Sequence, residues 1–107
     1  SLRTVAPALI ACATDTADFV LLVKPQFEAG PARVGRGGIV RDPDVHAAVL
    51  REVAHGLAAE GLFVTALVAS PIHGAEGNRE FLARADRVGP PLAAHELDAV
   101  AHDEAAA

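Results

Sequence analysis

Two short apolar segments, separated by a well-marked helix, constrain the fold of this 107-residue chain more than any other feature. The first lies within residues 18–23 (F-V-L-L-V), a run typical of a parallel strand buried on both faces, and the second, residues 62–69, predicts another strand. Between them, Asp42 is a favourable N-cap, Pro43 suits the first helical turn and Gly61 suits the position after the C-cap. The order strand, helix, strand predicts an α/β fold in which the two strands are parallel.

The segments on either side of this unit are shorter. Apolar residues at helical spacing predict a helix over residues 2–12, in which Pro7 either introduces a kink or lies in a first turn that starts late. Residues 79–83 predict a short third strand. Because two parallel strands and one short strand make a thin sheet with an unpaired edge, we expect the chain to be a piece of a larger domain.

The remaining segments are predicted to be loops and a tail. Residues 24–41 and 70–78 are rich in Gly and Pro, and both follow a predicted strand. Loops at the carboxyl ends of parallel strands are where open α/β sheets bind their ligands, so both loops are candidate functional segments. Residues 84–107 form an acidic, Ala-rich tail that we expect to be a frayed helix or disordered, which places the domain boundary at residue 83.

Charge is unevenly distributed. The net charge is −5, but the segment 24–41 carries four cations (Lys24, Arg33, Arg36 and Arg41) against Glu28, a local charge of +3. Such a loop favours contact of the three arginines with RNA phosphate, although ordinary solvated charge explains it equally well.

Composition excludes several other classes of protein. A single cysteine rules out a disulfide framework and indicates a reducing compartment. No stretch approaches the roughly 18 apolar residues that a membrane span needs. The five histidines show no metal-binding spacing, so we expect no metal site. We expect Cys12 to fill space in the core, and His46 and His55 to lie on the surface.

Three segments, in this order, carry a family resemblance. They are V-K-P-Q-F-E (23–28), V-G-R-G-G-I-V-R-D-P (34–43) and S-P-I-H-G-A-E-G-N-R-E-F (70–81). They closely resemble the TlyA (haemolysin A) family of FtsJ-like, S-adenosylmethionine-dependent methyltransferases, which modify ribose 2′-hydroxyls of ribosomal RNA. The resemblance implies that residues 1–83 form the C-terminal half of a Rossmann-like sheet, with an antiparallel last strand inserted between two parallel strands. It also implies ribosomal RNA or a ribosomal subunit as partner, and a cytoplasmic location.

The resemblance further implies the roles of two residues. The family's active site is a Lys–Asp–Lys–Glu tetrad, in which Lys24 matches the second lysine and Glu80 the glutamate. The other two members and the loop that binds S-adenosylmethionine would lie upstream of Ser1, so cofactor-binding residues in this chain are unknown and the chain alone is expected to be inactive. We expect Lys24 and Glu80 to face one crevice with their tips roughly 3 to 6 Å apart, in direct or water-mediated contact.

A second interpretation comes from a different class of protein. The chain would then be a non-catalytic α/β module that at most binds RNA or a protein partner. The upstream coding sequence separates the two interpretations, because a further lysine and a Gly-rich strand–turn–helix there would favour the enzyme. A membrane-lysing role has no support, since no helix combines a basic face with bulky apolar residues.

Overall fold

A three-stranded sheet forms the centre of the computed structural model, which describes residues 1–103. Its strands are β1 (Phe19–Val23), β2 (Phe63–Ala69) and β3 (Phe81–Asp86). The order in the sheet is β1-β3-β2, and β3 runs antiparallel to both neighbours, so that β1 and β2 are parallel to each other. The expected arrangement of two parallel strands with an inserted antiparallel strand is confirmed.

The third strand lies later in the chain than the predicted residues 79–83. It begins at Phe81 and continues to Asp86, because its pairing with β1 extends from Val23 opposite Phe81 to Phe19 opposite Ala85. Glu80 therefore lies immediately before the strand.

Four α-helices accompany the sheet in the described part of the chain: α1 (Leu2–Ala11), α2 (Pro25–Glu28), α3 (Pro43–Ala59) and α4 (Ala94–Ala101). Pro7 lies inside α1, and α2 together with two 3₁₀ turns organises the segment that the sequence predicts to be a loop.

Both ends of α3 follow the sequence signals. At its start, the Asp42 carboxylate accepts a hydrogen bond of 2.8 Å from the Asp44 N–H. At its end, Gly61 has a φ of +81°, and the N–H groups of Gly61 and Leu62 donate to carbonyls of the last turn. This pairing is a Schellman motif, whose left-handed residue glycine adopts without strain.

The sheet buries one face only. The face toward α3 packs against that helix, and the two form the core. Buried apolar residues of this core include Leu21, Val23, Val49, Leu50, Val53, Leu57, Leu62, Val64, Leu67 and Phe81. On the other face, Val20 and Val68 are 74% and 57% exposed. The expectation that β1 is buried on both faces is therefore wrong for the described residues, in which helices cover one side.

The segment after β3 is folded. Helix α4 packs against α3 and buries Leu97 and Ala101. The Arg79 guanidinium donates to the carbonyls of Val100 and Ala101, which closes the carboxyl end of α4 where backbone acceptors would lack partners. The expected frayed or disordered tail is wrong for residues 84–103, and what that expectation says of residues 104–107 lies outside the described residues.

Two single residues also differ from expectation. Cys12 is exposed rather than part of the core, because it is the C-cap residue of α1 and lies beyond the last helical turn. His46 is buried, with 3% of its surface exposed, because Val40 supplies an acceptor for its ring. His46 Nε2 donates to the Val40 carbonyl at 2.8 Å, and the ring meets Phe81 edge-on with 5.6 Å between centroids. His55 is exposed, as predicted.

The burial of His46 predicts that the protein loses stability in acid. Burial is the main cause that lowers the pKa of His46 below the usual 6.5, and the nearby charge of Arg79 acts in the same direction. The unfolded state therefore binds this proton more readily, so the contribution is complete above about pH 6.5 and is lost as the pH falls through the lower folded pKa. We expect urea unfolding to show this loss between about pH 7 and pH 5, and His46→Gln to weaken it.

His102 has the opposite effect on how stability depends on pH, and it serves as a control. Its hydrogen bond to Asp44 raises the pKa of His102, so its contribution is present below about pH 6.5 and is lost as the pH rises through the higher folded value. Replacing His102 by Gln should make the acid-side loss steeper. A His102→Gln protein whose stability is flat between about pH 5 and 7 would contradict the assignment to His46.

Candidate active site

Lys24 and Glu80 lie at the edge of the sheet where β1 ends and β3 begins. Val23 and Phe81 are cross-strand partners, and extending this register by one residue places Lys24 opposite Glu80. The Lys24 backbone is still extended, with φ −108° and ψ 100°. Because directly opposite residues of an antiparallel pair point their side chains to the same face, this register supports one shared crevice.

The Glu80 carboxylate is buried and held in one orientation. It is 5% exposed, and its Oε2 accepts a hydrogen bond of 2.8 Å from Gln26 Nε2. Gly74 lies directly against it, since a Cβ added to Gly74 would stand 1.8 Å from Oε2. Its backbone is fixed as well, because the Glu80 carbonyl accepts from the Ser70 N–H at 2.8 Å.

Lys24 is half-buried and lies beside an aromatic ring rather than against the carboxylate. Its Nζ stands 5.5 Å from the centroid of the Phe27 ring. Among residues 1–103, no ion pair within 4.0 Å joins Lys24 to Glu80, so the direct contact included in our expectation is not formed. The reason is that α2 begins straight after Lys24 and brings Gln26 to the carboxylate.

A buried asparagine joins the two loops that follow β1 and β2. Asn78 is 1% exposed; its Oδ1 accepts from the Val40 N–H at 3.0 Å and its Nδ2 donates to the Gly38 carbonyl at 2.9 Å. The Gly74 N–H in turn donates to the Asn78 carbonyl at 2.7 Å. Asn78 thereby connects the Arg-containing loop to the loop that covers Glu80. The only sequence signal for this role is its place in the Gly-rich run before β3.

The three arginines of the first loop are not equivalent. Arg33 is occupied: its two terminal nitrogens donate to both Glu52 oxygens at 2.8 Å, and its Nε donates to the Ala29 carbonyl. The hydrogen bond between the Arg33 and Glu52 side chains raises the pKa of Arg33 and lowers the pKa of Glu52. Arg36 and Arg41 are exposed, and Arg41 donates to the Arg36 carbonyl at 3.2 Å. Arg33 therefore fixes the loop to α3, whereas the other two remain open to a ligand.

Glu28, a second acidic group near this edge, has a structural contact. It is 8% exposed, and its Oε1 accepts from the Leu2 N–H at 2.9 Å in the first turn of α1. A carboxylate at a helix N-terminus accepts a hydrogen bond from an N–H that has no partner within the helix, and it interacts favourably with the positive end of the helix dipole. This contact links α2 to α1.

The Gly-rich run of the first loop does not form a cradle for a nucleotide cofactor. The run Gly35-Arg36-Gly37-Gly38 makes a 3₁₀ turn that closes on itself, with the Gly35 N–H donating to the Ile39 carbonyl at 2.8 Å. It does not connect a strand directly to a helix, which is the arrangement that binds a pyrophosphate or a similar group. Nor do three or more His, Cys, Asp or Glu side chains come together as a metal site in residues 1–103.

Comparison with known proteins places this geometry in a class. The family model of the FtsJ-like methyltransferases matches residues 2–87, so the chain belongs to the FtsJ-like methyltransferase family.

Within that family, the similarity extends to named relatives. The chain is 47% identical over 81 residues to the 16S/23S rRNA (cytidine-2′-O)-methyltransferase TlyA of Mycobacterium tuberculosis. The matched segment covers 76% of this chain and 30% of TlyA. It is 51% identical over 82 residues to YqxC of Bacillus subtilis, provisionally named an rRNA methyltransferase, covering 77% of this chain and 29% of that protein. The chain thus spans about 30% of the length of these relatives.

Solved structures agree with this placement. A protein from Lactococcus lactis, provisionally named a hemolysin, superposes with a TM-score of 0.87 at 36% identity, covering 98% of this chain and 51% of the other. A similarly named protein from Streptococcus thermophilus gives 0.84 at 40% identity, covering 97% and 39%. Despite these names, no helix in residues 1–103 is long and apolar enough to cross a membrane.

Proposed function

We propose that this chain carries the lysine–glutamate part of the active site of an S-adenosylmethionine-dependent methyltransferase that modifies ribose 2′-hydroxyls of ribosomal RNA in the cytoplasm. One observation carries the proposal: Val23 is paired with Phe81 at the end of the β1–β3 register, so that Lys24 and the buried Glu80, the residues next to this pair, lie at the same edge of the sheet. This edge is where open α/β sheets bind their ligands. The similarity to TlyA, named as a cytidine-2′-O-methyltransferase, supports a ribose hydroxyl as acceptor.

The two side chains suit the removal of a proton from a hydroxyl group. In this proposal, Lys24 in its neutral form accepts the proton of the 2′-hydroxyl as the oxygen is methylated. Glu80 lies close enough in register to oppose the positive charge that then develops on Lys24. Gln26 keeps the carboxylate in place during the reaction, because its amide donates to Oε2. S-adenosylmethionine supplies the methyl group; its binding residues are not assigned in this chain.

The test is the chemical identity of the product. The natural protein is incubated with ribosomal subunits and S-adenosylmethionine carrying a labelled methyl group, and the RNA is digested to nucleosides for mass spectrometry. We expect the label on the ribose of a 2′-O-methylnucleoside. Label on a base, or no label on any RNA from intact subunits, would contradict the proposal.

The open arginines predict a specific change in RNA affinity. Because Arg36 and Arg41 are exposed and Arg33 is paired with Glu52, only the first two should contact phosphate. We expect Arg36→Ala with Arg41→Ala to weaken RNA binding and to lower the slope of log affinity against log salt by up to about 2.

Arg33→Ala is the matched control for this prediction. We expect it to leave the salt slope unchanged and to lower the free energy of unfolding by about 1 kcal/mol, since its ion pair is more than a third exposed to solvent. Filter binding across a salt series gives the slopes. A larger loss of slope for Arg33→Ala than for the double variant would show that Arg33, and not the open pair, contacts phosphate.

A further inference from the structure

Phe27 is an aromatic side chain without a packing role. It is 69% exposed, whereas Phe81 is fully buried, Phe19 packs half-buried against the core, and Phe63 is half-buried. Packing among residues 1–103 leaves most of this side chain open to solvent, so the face of its ring is available for contact with a ligand.

The position of Phe27 connects it to both proposed catalytic residues. It lies on α2, and Lys24 Nζ stands 5.5 Å from the centroid of its ring. The preceding residue, Gln26, holds Glu80. A ligand lying on the exposed part of this ring is therefore next to Nζ of Lys24.

An open groove lies beside the ring. Phe27 and Gln26 form one side of an open groove of about 520 Å³, which Gly30, Pro31 and Val34 complete. The surrounding loop segment 24–41 has a charge of +3, from four cations and Glu28. An aromatic face within a basic loop suits a nucleobase joined to phosphates better than it suits an apolar protein surface.

We propose that Phe27 is the stacking surface for the base of the RNA nucleotide whose ribose is methylated. This inference rests on the proposed function. Enzymes that act on single nucleotides turn the target out of its helix, and aromatic side chains then hold the unstacked base. With the base on Phe27, the ribose at its edge is presented to Lys24. The platform is insensitive to base identity, because every base has a π-face.

Steady-state kinetics of the natural protein and its variants with ribosomal subunits test this role. We expect Phe27→Ala and Phe27→Leu to raise KM for the RNA substrate about 10- to 100-fold and to change kcat by less than about threefold. Leucine keeps the apolar volume but not the π-face, so it should fail as alanine does, whereas Phe27→Tyr should retain KM. Val88→Ala, which removes an 84% exposed side chain beyond the far end of β3, should change neither constant.

A second measurement does not depend on catalysis. The chain contains no tryptophan, so Phe27→Trp places a fluorophore at the platform and Val88→Trp places one away from it. A short single-stranded RNA should quench the added fluorescence of Phe27→Trp but not that of Val88→Trp. Quenching would persist even if the product proved not to be a 2′-O-methylnucleoside, so this result separates the inference from the proposed function.

Two results would overturn the inference. The first is an unchanged KM for RNA in both Phe27→Ala and Phe27→Leu. The second is a fall in kcat with KM unchanged, which would show that the ring acts only by holding Lys24. Thermal melting of each variant confirms folding, and equal quenching at positions 27 and 88 would also count against stacking.

Discussion

Lys24→Ala is expected to lower the single-turnover rate of methyl transfer about 10²- to 10⁴-fold, the loss typical of removing a general base. S-adenosylmethionine affinity should stay the same, because Lys24, at the end of β1, is proposed to act on the RNA hydroxyl and not to hold the cofactor. Rapid-quench measurement of methyl incorporation gives the rate, and titration calorimetry gives the affinity. A Lys24→Ala protein with near-normal rates would remove Lys24 from the mechanism.

Lys24→Arg separates a base from a fixed charge. Arginine keeps a cation near the Phe27 ring, but its guanidinium does not lose a proton in proteins. If Lys24 takes the hydroxyl proton, the arginine variant should be nearly as slow as the alanine variant. Recovery of most of the rate by arginine would mean that only the positive charge is needed.

Gly74→Ala is expected to lower the rate about 10²-fold while the protein stays folded, since a displacement of about 1 Å at a reacting group has effects of this size. The added Cβ would stand 1.8 Å from Glu80 Oε2, so the carboxylate must leave its position beside Gln26. The backbone at Gly74 tolerates alanine, because Gly74 is not among the glycines with positive φ. The variant therefore acts on the site rather than on the turn.

Two comparisons make this prediction specific. In Gly56→Ala, the added Cβ would stand 2.5 Å from the side chain of Arg3. Because that side chain is exposed and can move aside, the rate of methyl transfer by this variant should be normal. In a Glu80→Asp background, whose carboxylate is one methylene shorter, Gly74→Ala should cost much less than in the wild type. An equal cost in both backgrounds would show that Gly74 acts independently of Glu80.

Much of the fold follows from local signals. Asp42, Pro43 and Gly61 set the ends of α3 through their own backbone preferences, and each is found in the predicted role. The parallel direction of β1 and β2 follows from the helical crossover between them. The position of β3 in the sheet follows from the family resemblance, whereas local pattern alone places the start of that strand two residues too early.

The differences arise where distant residues decide the outcome. His46 is polar and is predicted at the surface. In the fold it is buried, because its ring donates to the Val40 carbonyl and packs edge-on against the Phe81 ring. Helix α4 has an Ala-rich, acidic sequence with weak local signals, and its order comes from packing on α3 and from the cap that Arg79 provides. Neither contact leaves a pattern in the sequence.

The candidate site shows the same division. Motifs identify Lys24 and Glu80, and the register of β1 and β3 accounts for their common edge. Sequence reasoning misses Gln26 as the partner of Glu80, because the two residues are 54 positions apart and an amide carries no signal for its acceptor. It misses the paired state of Arg33 for the same reason, since Glu52 lies on α3.

The central claim is that Lys24 and Glu80 act together on one proton, and a double-mutant cycle measures this most directly. Single-turnover rates are compared for the wild type, Lys24→Ala, Glu80→Gln and the variant with both changes. Groups that act as a unit have strongly non-additive effects, so the double variant should be no more than about threefold slower than Lys24→Ala. If the two losses multiply instead, Lys24 and Glu80 act independently, which contradicts a shared role in removing the proton.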